Sequence, residues 1–66
     1  MERNIRLNWS DLVNEAINRR KSLGLTQEQM AILAQVSKPT LNSFEQGRTT
    51  ITLANALKIL KSLALD

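Results

Sequence analysis

Residues 23–48 read LGLTQEQMAILAQVSKPTLNSFEQGR, and two helices start close together inside them. Thr26-Gln27-Glu28-Gln29 has the Thr-x-x-Gln form of a capping box, in which a hydroxyl and an amide each satisfy a backbone N–H at a helix start. The helix it opens is short, running to about Ala34 with Met30, Ala31 and Ala34 on its inner face. Ser37 then caps a third helix, counting one more helix upstream, and Pro39 is tolerated in its first turn, where no N–H is needed. That helix runs to Gln46, and Gly47 closes it. Only Gln35, Val36 and Ser37 separate the two helices, a link so short that they must cross steeply.

The third helix sorts its residues sharply. At 100° per residue, with Leu41 at zero, Phe44 falls on the same side. Lys38, Asn42, Gln46, Pro39 and Ser43 occupy an arc from about 60° to about 200°. That outer face has no acid and no large aliphatic. Its amides, hydroxyls and single cation suit the N7, O6, O4 and N6 atoms that line a DNA major groove. A polar outer face is also what any surface helix shows. The neighbouring helix starts shift the balance. The N-termini at Gln27 and Ser37 present free N–H groups and positive dipole ends, which suit phosphates. Arg48, Thr49 and Thr50 follow directly and add a cation and two hydroxyls.

Outward from this stretch the pattern stays helical. Trp9, Leu12, Val13, Ala16, Ile17 and Leu23 fall within about 140° of arc, which marks a first helix with Ser10 as its expected N-cap and Gly24 beyond its end. Thr52 caps a fourth helix from Leu53 to about Leu63, whose apolar residues spread over about 160°. Residues 1–8, MERNIRLN, show no such period and read as an arm. Residues 9–66 then form one domain, with its paired helices at 27–46.

Composition narrows the function. The 66 residues hold nine Lys or Arg against six Asp or Glu, a net +3, with no His and no Cys. Without Cys there is no disulfide framework, and without Cys or His there is no zinc finger and no nucleophile–imidazole pair. No apolar run approaches the roughly 20 residues that span a bilayer. The expectation is a small, reduced, soluble, all-α domain that is not an enzyme and takes no cofactor, metal or small-molecule substrate. Mild basicity favours an anionic partner.

LGLTQ at the start of the second helix, Ala31 at its fifth position, apolar Met30, Val36, Leu41 and Phe44, and the closing Phe44-Glu45-x-Gly47-Arg48 together resemble the Cro and phage-repressor helix-turn-helix domains, the XRE family. The resemblance runs without gaps through residues 23–48 and extends over most of 9–65. It implies a compact lambda-repressor-like fold of four to five helices that binds double-stranded operator DNA in a bacterial or phage-infected cytoplasm, at the nucleoid. By position it implies base reading by Ser37, Lys38, Pro39, Asn42 and Ser43. Gln27, Thr40, Arg48 and Thr49 would hold phosphates. Pro39 departs from the usual polar readers and offers van der Waals contact to a thymine methyl at best. Gln35 replaces the usual turn glycine; a positive φ there costs roughly 1 kcal/mol.

Arg20 lies in the middle of the first helix's apolar stripe, where an exposed cation is out of place. Glu45 is the one carboxylate beside the buried edge of the third helix. The resemblance implies that these two form a partly buried ion pair, whereas an isolated Arg20 would snorkel to solvent or touch phosphate.

Repressors of this kind usually dimerise, with two recognition helices about 34 Å apart along DNA. The wide apolar arc of the fourth helix, with Leu57 and Ile59 at its edges and Leu65 beyond, is the expected homodimer patch. Ile32 projects away from the core face of its helix and is available to a second protein. A chain that stops at Asp66, soon after the fourth helix, fits a minimal stand-alone regulator. The string LKILKSL at 57–63, with Phe44-Glu45 and Thr49-Thr50, most resembles HipB-type antitoxins, which repress their own operon as dimers and hold a kinase-like toxin. The alternatives are a Cro-like phage regulator and a protein-binding module of the same fold whose DNA role is secondary.

Overall fold

The computed structural model describes residues 8–65. Among them lie four helices and no strand: α1 (Trp9–Ser22), α2 (Gln27–Ala34), α3 (Lys38–Glu45) and α4 (Leu53–Ser62). This is the expected all-α, lambda-repressor-like architecture in its four-helix form. Of the expected arm, all but Asn8 lies outside the described residues.

Side-chain chemistry opens every helix. Thr26 Oγ1 accepts from the Gln29 N–H at 3.1 Å while Gln29 Oε1 accepts from the Thr26 N–H at 2.9 Å, completing the capping box. Ser37 and Thr52 accept from Thr40 and Asn55 N–H groups in the same way. The cap of α1 is Asn8, not the expected Ser10: Asn8 Oδ1 accepts from the Asp11 N–H at 3.2 Å. Starting there puts Trp9 in the first turn, where it is needed. Its indole N–H donates to the Gly47 carbonyl at 3.1 Å, and its ring meets Phe44 edge-on with centroids 5.5 Å apart.

All four helices end alike. A left-handed residue closes each one, Gly24, Gln35, Gly47 and Ala64, with φ of 74°, 62°, 81° and 59°. Its N–H and the next one bond back into the last turn, as in Leu65 N–H to the Leu60 carbonyl at 2.9 Å. This Schellman arrangement turns the following residue back toward the helix. Leu25, Val36 and Leu65 are accordingly partly buried against the core. Leu65 is therefore a core-packing residue rather than part of a free patch.

The core lies where α1, α2 and α4 meet α3. Phe44, Met30, Leu41 and Ile59 are its largest fully buried side chains. Burying side chains of this size contributes about 1.5–3 kcal/mol each. Ile59 corrects a third expectation, since it is 0% exposed. The sequence arc of α4 has two edges, and the packing angle buries the one carrying Ile59. The other edge, Leu53 and Leu57, stays exposed. Arg19 ties the end of α4 to α1 by donating from Nη1 to the Leu63 carbonyl at 2.9 Å.

Candidate nucleic-acid interface

The outer face of α3 is open. Lys38, Pro39 and Asn42 are exposed, Ser43 is half-buried, and the first three line a hollow of about 410 Å³ together with Gln27 from α2. A second hollow, about 260 Å³, continues on the far side of the helix. There Pro39, Thr40 and Ser43 meet Thr50, Ile51, Thr52 and Asn55. The α3 face is thus flanked by the starts of two other helices, α2 on one side and α4 on the other.

The remaining expected contacts divide. Ser37 is exposed but committed to its own helix, its hydroxyl accepting from the Thr40 N–H and donating to Thr40 Oγ1 at 2.7 Å. Arg48 is exposed at the end of α3. Thr49 is exposed too, but it lines a different hollow with Trp9, Ile51, Leu53 and Ala56. Thr50 shares the hollow beside α3 with Thr52 and Asn55, and these last two the sequence reading did not place in the interface. Their signal is weak because nothing periodic links them to α3; tertiary packing brings them there. Ile32 is 73% exposed on α2.

Behind the face sits a closed polar network. Arg20 donates from Nε to Glu45 Oε2 at 2.7 Å and from Nη2 to Glu45 Oε1 at 3.2 Å, a bidentate pair. Its Nη1 donates to the Leu25 carbonyl at 2.8 Å. One guanidinium thereby joins α1, the link into α2, and α3. The two side chains are only 11% and 9% exposed. Gln27 completes the set, donating from Nε2 to Glu45 Oε1 at 2.8 Å and lying 3.5 Å from Asn42 Oδ1. Glu45 is therefore neutralised from within and does not oppose an anion at the outer face. The Gln27 amide nitrogen, expected at a phosphate, is directed at protein oxygens instead.

The helix starts differ in charge. The first turns of α3 and α4 carry no acid, whereas Glu28 stands in the first turn of α2. An acid there stabilises the helix dipole and competes with phosphate for the same N–H groups. The start of α4 is the better anion position, since at the start of α3 Pro39 has no N–H and the Ser37 hydroxyl holds the Thr40 N–H.

Two short helices joined by Gln35, Val36 and Ser37, the second presenting a polar, acid-free face, define a helix-turn-helix domain. Residues 17–66 match the helix-turn-helix family, and the chain belongs to it, in the XRE-type branch. It is also 36% identical over 52 residues to an uncharacterized HTH-type transcriptional regulator of Haemophilus influenzae, a match covering 79% of this chain and 53% of that protein. The chain thus spans about half the length of the curated relative it matches. No helix among the described residues is long and apolar enough to cross a membrane.

Proposed function

We propose that this chain is a sequence-specific DNA-binding transcriptional regulator. The observation that carries the reading is the open α3 face, where Lys38, Pro39, Asn42 and Ser43 stand free of acids while Glu45 is satisfied internally by Arg20. In a major groove Lys38, Asn42 and Ser43 read base edges, and Pro39 packs on a thymine methyl. Ser37, whose hydroxyl holds the Thr40 N–H, leaves the Lys38 N–H as the free backbone donor at the start of α3. Thr40, Arg48, Thr49 and the start of α4 hold phosphates and fix register, and the N–H groups of Gln27 and Glu28 are a weaker position because the Glu28 carboxylate competes there. The family relationship and the regulator from Haemophilus support the same reading.

The finer proposal is a cytoplasmic homodimer on a palindromic operator, repressing its own operon. Leu53 and Leu57, 74% and 40% exposed along one edge of α4, support a contact between copies. An antitoxin role, with a kinase-like toxin bound elsewhere on the surface, draws support from Ile32 and Leu33, 73% and 54% exposed on α2.

The test is selection from a pool of randomised DNA duplexes followed by fluorescence-anisotropy titration. Selected duplexes are expected to bind at least about 100-fold more tightly than random ones. Affinity for both should fall steeply between about 50 and about 200 mM salt. A pool from which nothing is enriched would overturn the reading.

A further inference from the structure

α1 and α4 lie side by side, with Trp9 beside Leu53 and Ala56 at one end and Arg19 on the Leu63 carbonyl at the other. Between their first turns opens a hollow of about 320 Å³, lined by Trp9, Leu12, Leu53, Ala56, Leu57 and Leu60. Asn8, where the described chain begins, lines it too. The seven residues before Asn8, MERNIRL, carry two branched apolar side chains, Ile5 and Leu7.

The cap of α1 ties these residues to the hollow. Because Asn8 is the cap, Leu7 is the residue before it and Leu12 is the fourth of the helix. Those are the two positions of a hydrophobic staple, in which the residue before a cap packs on the fourth helical one. Asn8 is itself extended, with φ of −95° and ψ of 117°. A chain that reaches it extended carries Ile5 on the same face as Leu7, and Asn4 and Arg6 on the other.

We propose that residues 1–7 of the same chain fill this hollow, Leu7 against Leu12 and Ile5 against Leu57, a placement independent of DNA binding. The three residues from Asn8 back to Ile5 reach about 10 Å when extended, which is about the spacing of two packed helices. A second copy is the rival occupant. Seven residues line the hollow, against the roughly 20–30 a side of a stable interface, so a contact between copies needs a wider surface. The short tether also presents the chain's own segment at millimolar effective concentration. Seated there, the segment covers Leu57 and competes with a second copy for that edge of α4.

The chain has no Cys, so an introduced pair forms one disulfide only. Ile5→Cys with Leu57→Cys, in the full chain and equilibrated with glutathione, should close within the monomer; Leu57 is 40% exposed and tolerates the change. Asn4→Cys with Leu57→Cys has nearly the same tether and the opposite face. The Ile5 pair should close at least about tenfold more favourably, because a disulfide needs Cα atoms within about 7 Å. A bond that doubles the mass gives the hollow to a second copy and overturns the proposal. Equal closing of the two pairs overturns it as well. In the cysteine-free chain, Leu7→Ala should lower the unfolding midpoint by about 4 °C or more. In a Leu57→Ala background at least half of that loss should vanish. A Leu7→Ala shift that is absent, or that stays the same without Leu57, overturns the placement.

Discussion

The two faces of α3 use the same kinds of atoms in opposite ways. On the inner side Glu45 receives three N–H groups, from Arg20 twice and from Gln27, and its residue is almost closed to water. On the outer side Lys38 and Asn42, within one turn to two turns of Glu45, stand in solvent. A partnered charge at low exposure locks the helix against α1 and α2. Exposed polar groups on the same eight-residue helix, of which Asn42 has only a long 3.5 Å contact to Gln27, add little to folding and remain available to a ligand. Substitutions on the two sides should therefore separate cleanly into stability effects and recognition effects.

The largest effect is expected inside. Glu45→Ala leaves Arg20 nearly buried with only the Leu25 carbonyl to satisfy it, and it frees Gln27 as well. Removing one member of such a pair costs about 3 kcal/mol. In a chain of this size that lowers the unfolding midpoint by more than about 10 °C. A double-mutant cycle with Arg20→Ala should show coupling well above the ~0.5 kcal/mol of an exposed pair. A cycle giving only the exposed-pair value would mean that water screens the site and that the two faces do not differ as described.

Outside, the effects move to binding. Lys38→Ala and Asn42→Ala should each change stability by less than about 0.5 kcal/mol, since neither side chain is buried. Each should reduce discrimination for a selected duplex by about 1–3 kcal/mol, with little change on random DNA. Thermal unfolding and anisotropy titration of the same variants give both numbers. Operator preference that survives loss of both residues would remove base reading from this face.

The difference between the faces was partly legible in the residue order. Local chemistry reads well: Thr26, Ser37 and Thr52 mark helix starts because a side-chain oxygen reaches an N–H three residues on. Position on a helix also reads well, since Arg20 in an apolar stripe is out of place as an exposed cation; its pairing with Glu45 is what the family resemblance implied. What did not read was anything set by how one helix leans on another. Asn8 and Ser10 are both capable caps, and the choice falls to Asn8 because Trp9 must reach Gly47 and Phe44. The apolar arc of α4 is symmetrical about its middle, so burial of Ile59 and exposure of Leu53 follow only from the docked angle. Leu65 lay beyond the helix in sequence, yet a left-handed Ala64 folds it back onto the core. Two neighbours of the recognition face, Thr52 and Asn55, arrive by the same docking.

The smallest expected effect lies in the turn that joins the helix pair and sets how the α3 face is presented. Gln35 holds φ at 62°, while Gly24 and Gly47 occupy the equivalent positions after α1 and α3. A non-glycine side chain in that conformation costs roughly 1 kcal/mol. Gln35→Gly removes the strain but loosens the unfolded chain, which returns about half of the gain. The net expectation is a stabilisation of about 0.5 kcal/mol, seen as a higher denaturant midpoint at unchanged slope. Gln35→Ala keeps the strain and should show no such gain. The Gln35 side chain is exposed and makes no hydrogen bond among the described residues, so duplex selection by the glycine variant should match the wild type. A gain in stability accompanied by altered base preference would mean that strain in this turn helps to set the pitch of α3, joining its inner and outer faces through the backbone.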